Sequence, residues 1–254
     1  MQTKDSLIPG RVWIYQTPLS AAVPELAALL NHTELKRFRS YQKEEDQKRS
    51  LLSFALLRLL LSRFTGKDPR KIKISRNCPA CGKPHGKPRV MDEGPIEVNI
   101  SHSGKWVLTA IACHTPVGID IEQINPDLVE DEMVKRVLSA EEMKEWEKLP
   151  QEERKEAFYR YWTWKEAILK ATGEGLAVSM PRLTVTNRDG SPRLTRWEGR
   201  EDRVGQIGCH PLQVDPQYAA CLAVIGRAEE ILLRQGEEII QAWTKNQNIW
   251  RSAR

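Results

Sequence analysis

Two short stretches of the chain place carboxylates and lysines at spacings that suit phosphate chemistry. In Gly118-Ile119-Asp120-Ile121-Glu122 the acids stand two residues apart. In a strand this puts both on one face, with Ile119 and Ile121 on the other. In Trp162-Thr163-Trp164-Lys165-Glu166-Ala167-Ile168-Leu169-Lys170 a glutamate precedes a lysine by four residues, a spacing that makes them neighbours on a helix surface. Hard divalent cations take oxygen ligands, and phosphates take cations. Three acids and a lysine from separate elements therefore suit metal-assisted, phosphoryl-type chemistry.

The helix strengthens this reading. At about 100° per residue, Phe158, Tyr161, Trp162, Ile168 and Leu169 share an arc that must face the interior. Lys165 falls near the middle of that arc, Glu166 at its edge and Lys170 about 40° further round. A lysine inside an apolar arc is costly unless an anion meets it, so Lys165 joins Lys170 as a candidate phosphate contact. The plainer alternatives are a snorkelling lysine beside a surface glutamate, a Lys170 favoured by the helix dipole, and a strand with a solvated acidic face.

A third stretch, Asn99-Ile100-Ser101-His102-Ser103-Gly104-Lys105-Trp106, gathers hydroxyls, an imidazole and backbone amides in one turn. Such a turn can hold a phosphate through N–H and O–H donors. A Ser-His nucleophile is the weaker reading, since no third orienting partner is evident. Arg49-Ser50 and Gly86-Lys87-Pro88 are further anion contacts, each weak alone. Cys78-Pro79-Ala80-Cys81-Gly82 with His85 has the form of half a zinc site. A structural zinc wants four ligands and no second pair appears, so the expectation is a loop with two reduced thiols. Cys113, Cys209 and Cys221 lie in apolar or mixed surroundings and are expected as small buried residues.

The elements that must position these groups follow from the pattern. Val12-Trp13-Ile14-Tyr15 predicts an opening strand, Pro24 to Leu30 a short helix, and Glu44 to Gly66 a long helix ending at a glycine. Ile72 to Ile74 is a candidate strand, and Asn77 to Pro95 a loop rich in Gly, Pro and Cys. Val98–Ile100, Trp106–Cys113 and Val117–Ile121 predict strands whose short connections favour antiparallel neighbours. Ser139-Ala140-Glu141-Glu142 has the capping-box form, and a second long helix runs from about Glu152 to Ala171. Strands resume at Leu183 to Thr186 and Tyr218 to Val224, and Ala228 to Trp243 closes the chain as an amphipathic helix. The expected fold is α+β, in two halves joined near Thr115-Pro116: residues 1–116 and 117–254. The acidic strand then lies just past the join, where clefts commonly form.

With 254 residues, a net charge of +5 and 29% charged residues, the chain is long enough for a sizeable core and reads as globular. No apolar run reaches the roughly 20 residues of a membrane helix. Met1-Gln2-Thr3-Lys4-Asp5 lacks a signal-peptide pattern. The expectation is a cytoplasmic protein without a membrane or nucleic-acid partner.

NISHSGKW (99–106), GIDIE (118–122) and FYRYWTWKEAILKATGEGL (158–176) resemble the signature blocks of the 4'-phosphopantetheinyl transferases. The likeness is to the longer, monomeric type that primes peptide synthetases of antibiotic biosynthesis. EDQKRSLLSFALLR (45–58) and HGKPRV (85–90) extend it. The resemblance implies transfer of the phosphopantetheine arm of coenzyme A to a serine of an acyl or peptidyl carrier protein, releasing adenosine 3',5'-bisphosphate. It also implies a pseudo-dimer of two similar halves, each a small mainly antiparallel sheet with a long helix, and the active site between them. By motif position, Asp120, Glu122 and Glu166 would bind Mg²⁺, or Mn²⁺ in its place. Ser50, Lys87 with its neighbour Pro88, Ser101 and His102 would contact the adenosine bisphosphate. Lys165 and Lys170 would lie near the phosphates. Glu166 would act as base toward the carrier serine, and Lys170 would stabilise the transition state or leaving group. Residues after Gly173 would lie where the carrier docks. The basic residues Lys36, Arg37 and Arg39, the CPACG insert and the tail beyond about residue 226 fall outside the pattern. The rival class is a metal-dependent nuclease or phosphodiesterase, which also uses three acids and a lysine. Its acid, Glu, x, Lys strand pattern is missing, since Glu122 is followed by Gln123-Ile124.

Overall fold

The run Val12-Trp13-Ile14-Tyr15 has no polar face to offer to water, and the structure buries it on both sides. This computed structural model describes residues 6–78, 82–83, 86–188 and 190–252. Strand β1 (Arg11–Pro18) is followed by two 3₁₀ turns, α1 (His32–Ser40) and α2 (Glu44–Thr65). Strands β2 (Lys73–Ser75), β3 (Arg89–Met91), β4 (Ile96–Ser103), β5 (Trp106–Cys113) and β6 (Val117–Gln123) come next. Then follow α3 (Asp131–Val137), α4 (Ala140–Glu147) and α5 (Gln151–Thr172). The chain closes with β7 (Leu183–Arg188), β8 (Ser191–Trp197), β9 (Ile207–Pro211), β10 (Tyr218–Ile225), β11 (Glu230–Gln235) and α6 (Glu237–Ser252).

Two sheets result, with strand orders β11-β1-β5-β4-β3-β2 and β6-β10-β9-β8-β7. Pairing is antiparallel except where β11 runs parallel to β1. The sheets stack through Val12, Ile14, Leu108 and Ala110 of the first and Ile119, Ile121, Leu222 and Val224 of the second. On its outer face the first sheet carries α2, whose Leu52, Leu56 and Leu60 pack against Trp13, Tyr15 and Val107. The second sheet carries α5 in the same way, with Phe158, Trp164 and Ile168 against Leu183, Val185 and Cys221. Both long helices have 22 residues and stop at a left-handed glycine, Gly66 at φ 75° and Gly173 at φ 78°. Each half is thus a sheet with one long helix outside, the pseudo-dimeric α+β architecture that the family likeness implies.

Three expectations need correction. β5 and β6 are not neighbours: both edges of β5 are already taken by β1 and β4. His114, at φ 59°, turns the chain into the other sheet. The tail after Ala228 is not one helix but strand then helix, because Ile231 and Leu233 fall opposite Val12 and Ile14 in a parallel ladder on β1. Residues 230–252 therefore return to the first half, with Ile240 buried in the core beneath α2, so the 117–254 unit loses its tail. Finally, β3 forms inside the expected loop 77–95, and β8 and β9 arise where the sequence shows no strong alternation.

Candidate functional site

The acidic strand is held from two sides. From the first half, alternate residues of β4 share one face and meet β6 as a row of polar groups. Asn99 Oδ1 accepts the Ile119 amide at 2.9 Å, and Ser101 Oγ donates to Asp120 Oδ1 at 2.8 Å. Ser103 Oγ donates to Glu122 Oε2 at 2.9 Å and accepts the Gln123 amide at 3.0 Å. From the second half, α5 lies directly on β6. A Cβ on Gly118 would stand 2.1 Å from the Ala167 carbonyl oxygen and 2.3 Å from the Ala171 nitrogen. Any side chain there would push the helix off the strand.

The contact brings Glu166 and Lys170 of α5 to the acids of β6. Lys170 Nζ donates to Asp120 Oδ1 at 2.5 Å and to Ser101 Oγ at 3.1 Å. Asp120 Oδ2 is buried and has no hydrogen-bond partner among the described residues. Burial, and then the Asp120 charge, push Glu122 up to about 7. Burial likewise raises Glu166, with Lys170 opposing and Asp120 adding to it. Lys170 shows the complement: burial would lower it, but Asp120 foremost, then Glu166 and Glu122, hold it above the ordinary lysine range. These are the signs of too much negative charge in a drained space.

Among the described residues, no three Asp, Glu, His or Cys side chains converge closely enough to hold an ion as they stand. The donor set nevertheless fits a hard cation. Its ligating atoms are all oxygens, one of them is buried without a partner, and the remaining acids are disfavoured as anions until positive charge arrives.

Glu166 and Lys170 line a cleft of about 1590 Å³ between the halves, whose first-half wall includes Ser50, Ser53, Phe54, Arg76, Lys87 and His102. Pro88 lines it too, while His102 is exposed at its edge. Lys87 spans the cleft, pairing with Glu97 at 3.1 Å and donating to the Ala171 carbonyl at 3.2 Å; burial, more than Glu97 can offset, lowers its ammonium. The hydroxyls of Ser50 and Ser53 are buried and without a partner among the described residues.

Arg76 adds to this wall of the cleft. Its guanidinium lies 4.8 Å over the Phe54 ring, with Nε and Nη2 buried and without a hydrogen-bond partner among the described residues. Burial, then Arg37, lowers it to about 10. The first-half wall of the cleft thus carries the cationic side chains of Arg76 and Lys87 and several buried polar atoms without a partner among the described residues.

Of the expected site residues, Asp120, Glu122, Glu166, Lys170 and Ser101 come together, and Ser50, Lys87, Pro88 and His102 line the cleft. Lys165 does not join them. Its side chain is fully buried on the opposite flank of α5 and pairs with Glu142 at 2.5 Å. The anion that the apolar arc demanded is a protein carboxylate. The zinc reading rests on Cys81 and His85, which lie outside the described residues. Sequence reading missed Arg76, Glu142, Asn99 and Ser103 as individuals. Asn99 and Ser103 were legible as period-two partners of Ser101. Arg76 carried no local signal.

The family model described as 4'-phosphopantetheinyl transferase superfamily matches residues 116–223, and that described as 4'-phosphopantetheinyl transferase, N-terminal, matches residues 15–114. The chain is 32% identical over 175 residues to the 4'-phosphopantetheinyl transferase HetI of Nostoc sp., covering 68% of this chain and 73% of the relative. It is 30% identical over 227 residues to the 4'-phosphopantetheinyl transferase Sfp of Bacillus subtilis, covering 88% and 96%. Over 153 residues it is 31% identical to the 4'-phosphopantetheinyl transferase gsp of Aneurinibacillus migulanus.

Proposed function

Since the chain belongs to the 4'-phosphopantetheinyl transferase superfamily, we propose that it moves the phosphopantetheine arm of coenzyme A to a serine of an acyl or peptidyl carrier protein, within the cleft between its two sheets. The observation that carries this reading is the cleft's mixed lining. Glu166 and Lys170, the latter bonded to the buried Asp120, line one wall, and Ser50, Ser53, Arg76, Lys87 and His102 line the facing one. The nuclease alternative finds no support in the relatives.

The first-half wall, with Arg37, Arg76, Lys87, Ser50 and His102, suits the adenosine bisphosphate of coenzyme A; charge-assisted donors to phosphate are the strong ones. Asp120, Glu122 and Glu166 would hold Mg²⁺, or Mn²⁺, which when bound neutralises charge on the pyrophosphate. Glu166 is the base that would take the proton from the carrier serine Oγ. That oxygen bonds to the phosphorus bearing the pantetheine arm, while the bond from this phosphorus to the bridging oxygen breaks. Adenosine 3',5'-bisphosphate leaves with its new negative charge beside the Lys170 ammonium. Positioning and electrostatics supply most of the acceleration, as in other phosphoryl transfers. Ser101 already serves Asp120 and Lys170, so its hydroxyl aligns the acid.

The two halves supply the facing walls of the cleft, residues up to 116 the nucleotide contacts and 117 to 229 the metal contacts. One chain thus completes the site as a monomer. No helix of the described residues is long and apolar enough to cross a membrane; the cytoplasm, where coenzyme A and carrier proteins meet, is the compartment this function needs. The test is to incubate the protein with coenzyme A, Mg²⁺ and an apo carrier protein and weigh the carrier. A gain of one phosphopantetheine is expected. No gain with apo carriers from peptide, polyketide and fatty-acid synthesis would overturn the reading.

A further inference from the structure

The buried lysine that the transfer does not use still needs an account. Lys165 Nζ spends its three donors on the Val137 carbonyl at 2.6 Å, Glu142 Oε2 at 2.5 Å and the Met180 carbonyl at 3.1 Å. Glu142 in turn accepts the Ser139 amide at 2.7 Å and the Val185 amide at 2.6 Å. One ion pair thus joins the end of α3, the cap of α4, the entry to β7 and the middle of α5. Its place on the helix matters. Trp162, Glu166 and Lys170 follow one another at four-residue steps along one side of α5, and Lys165 points about 100° or more away from Glu166 and Lys170. The opposite restraint on α5 is its seat on Gly118 of β6. The helix is held between these two contacts, and its rotation about its own axis decides where Glu166 and Lys170 point.

The Met180 carbonyl adds a second consequence. The segment from Gly173 to Val178 forms part of the cleft wall. Its near end is fixed by the amide of Gly173 on the Leu169 carbonyl, and its far end by Lys165 on Met180.

We propose that Lys165 and Glu142 are a positioning pair: together they set the rotation of α5 that aims Glu166 and Lys170 into the cleft, and they anchor the cleft wall 173–180, without touching coenzyme A. The proposal rests on the transferase reading above.

The test compares Lys165→Met, Glu142→Gln and the double variant Lys165→Met/Glu142→Leu, assayed where each is folded by circular dichroism. Both single variants are expected to lose about tenfold or more in kcat, as displaced catalytic groups do, with the KM for coenzyme A unchanged within about twofold. The double variant should recover thermal stability, as apolar replacements of buried ion pairs often do, yet stay as slow as the singles. Amides between Glu174 and Met180 should exchange hydrogen faster in both single variants. A raised KM for coenzyme A in Lys165→Met with a silent Glu142→Gln would make Lys165 a ligand contact and overturn the proposal. So would a double variant with wild-type kcat, which would leave the pair a stability device only. Should Lys165→Met fail to fold, the other two variants decide the matter. If the wild-type protein transfers nothing, the transferase reading falls by that result alone, and the exchange of residues 174–180 still tests the anchoring.

Discussion

Helix α5 carries two lysine–carboxylate pairs on different flanks, and they differ in everything but chemistry. Lys165–Glu142 and Lys170–Asp120 each close to 2.5 Å. In the first, the ammonium meets three oxygens and the carboxylate two backbone amides, so both partners are satisfied and sealed from water. In the second, the lysine side chain keeps 27% of its exposure and Asp120 Oδ2 has no partner among the described residues. A buried charge does not by itself mark a site. Unspent bonding capacity beside an open cleft does, because a ligand can still supply what the fold withholds.

The sharpest way to break this contrast is to remove the open pair's acid. Asp120→Ala should lower transfer by at least about a thousandfold, the scale of losing a key electrostatic group, while far-ultraviolet circular dichroism stays native. Glu166→Ala should do the same. An active Glu166→Ala enzyme would refute its place in the metal set and as base.

The next effect is on stability and falls on the closed pair. Lys165→Met strands Glu142 in the core and should cost about 3–5 kcal/mol, the range for breaking a buried pair, read as a lower urea midpoint with an unchanged slope. Lys170→Met should cost less, because the acids it leaves can take up a proton or a cation. Mg²⁺ should then narrow the stability gap between Lys170→Met and the wild type, and leave the gap between Lys165→Met and the wild type unchanged. Equal recovery in both would erase the distinction between the pairs.

Much of this was legible in the chain. The period-two acids of β6, the four-residue step from Glu166 to Lys170 and the capping box at Ser139 are local patterns, and local patterns survive folding. The arc argument for Lys165 was right in physics and wrong in address: it required an anion but could not say that Glu142, 23 residues earlier, would be brought there by α4. Glu142 looked like the acidic half of a capping box, which it also is. Arg76 and the return of β11 to β1 depend on contacts between distant segments, which no local period encodes. The β5–β6 connection misled for a related reason. Turn length permits a hairpin, but only the whole sheet reveals that both edges of β5 are occupied.

The smallest expected effect concerns pH. Glu122, held at about 7 against an ordinary value near 4.5, binds its proton more tightly in the folded state. Such a group stabilises the fold below its unfolded pKa, and that contribution is lost as pH rises through about 7. Glu166 shifts in the same direction. The half-buried imidazole of His210, lowered by its partial burial, works oppositely and gains stability over the same window. Comparing the protein with Glu122→Gln cancels His210 and isolates the carboxylate. In metal-free buffer the melting temperature of the wild type should fall relative to Glu122→Gln between pH 5 and 8 by about 3 °C or more, given roughly 2–4 °C per kcal/mol for a chain of this size. Mg²⁺ at pH 8 should remove most of that difference, since a bound cation favours the ionised acid that the empty cluster disfavours. A flat difference across the window would mean that Glu122 is an ordinary exposed acid, and the open pair would then have two carboxylates at its centre instead of three.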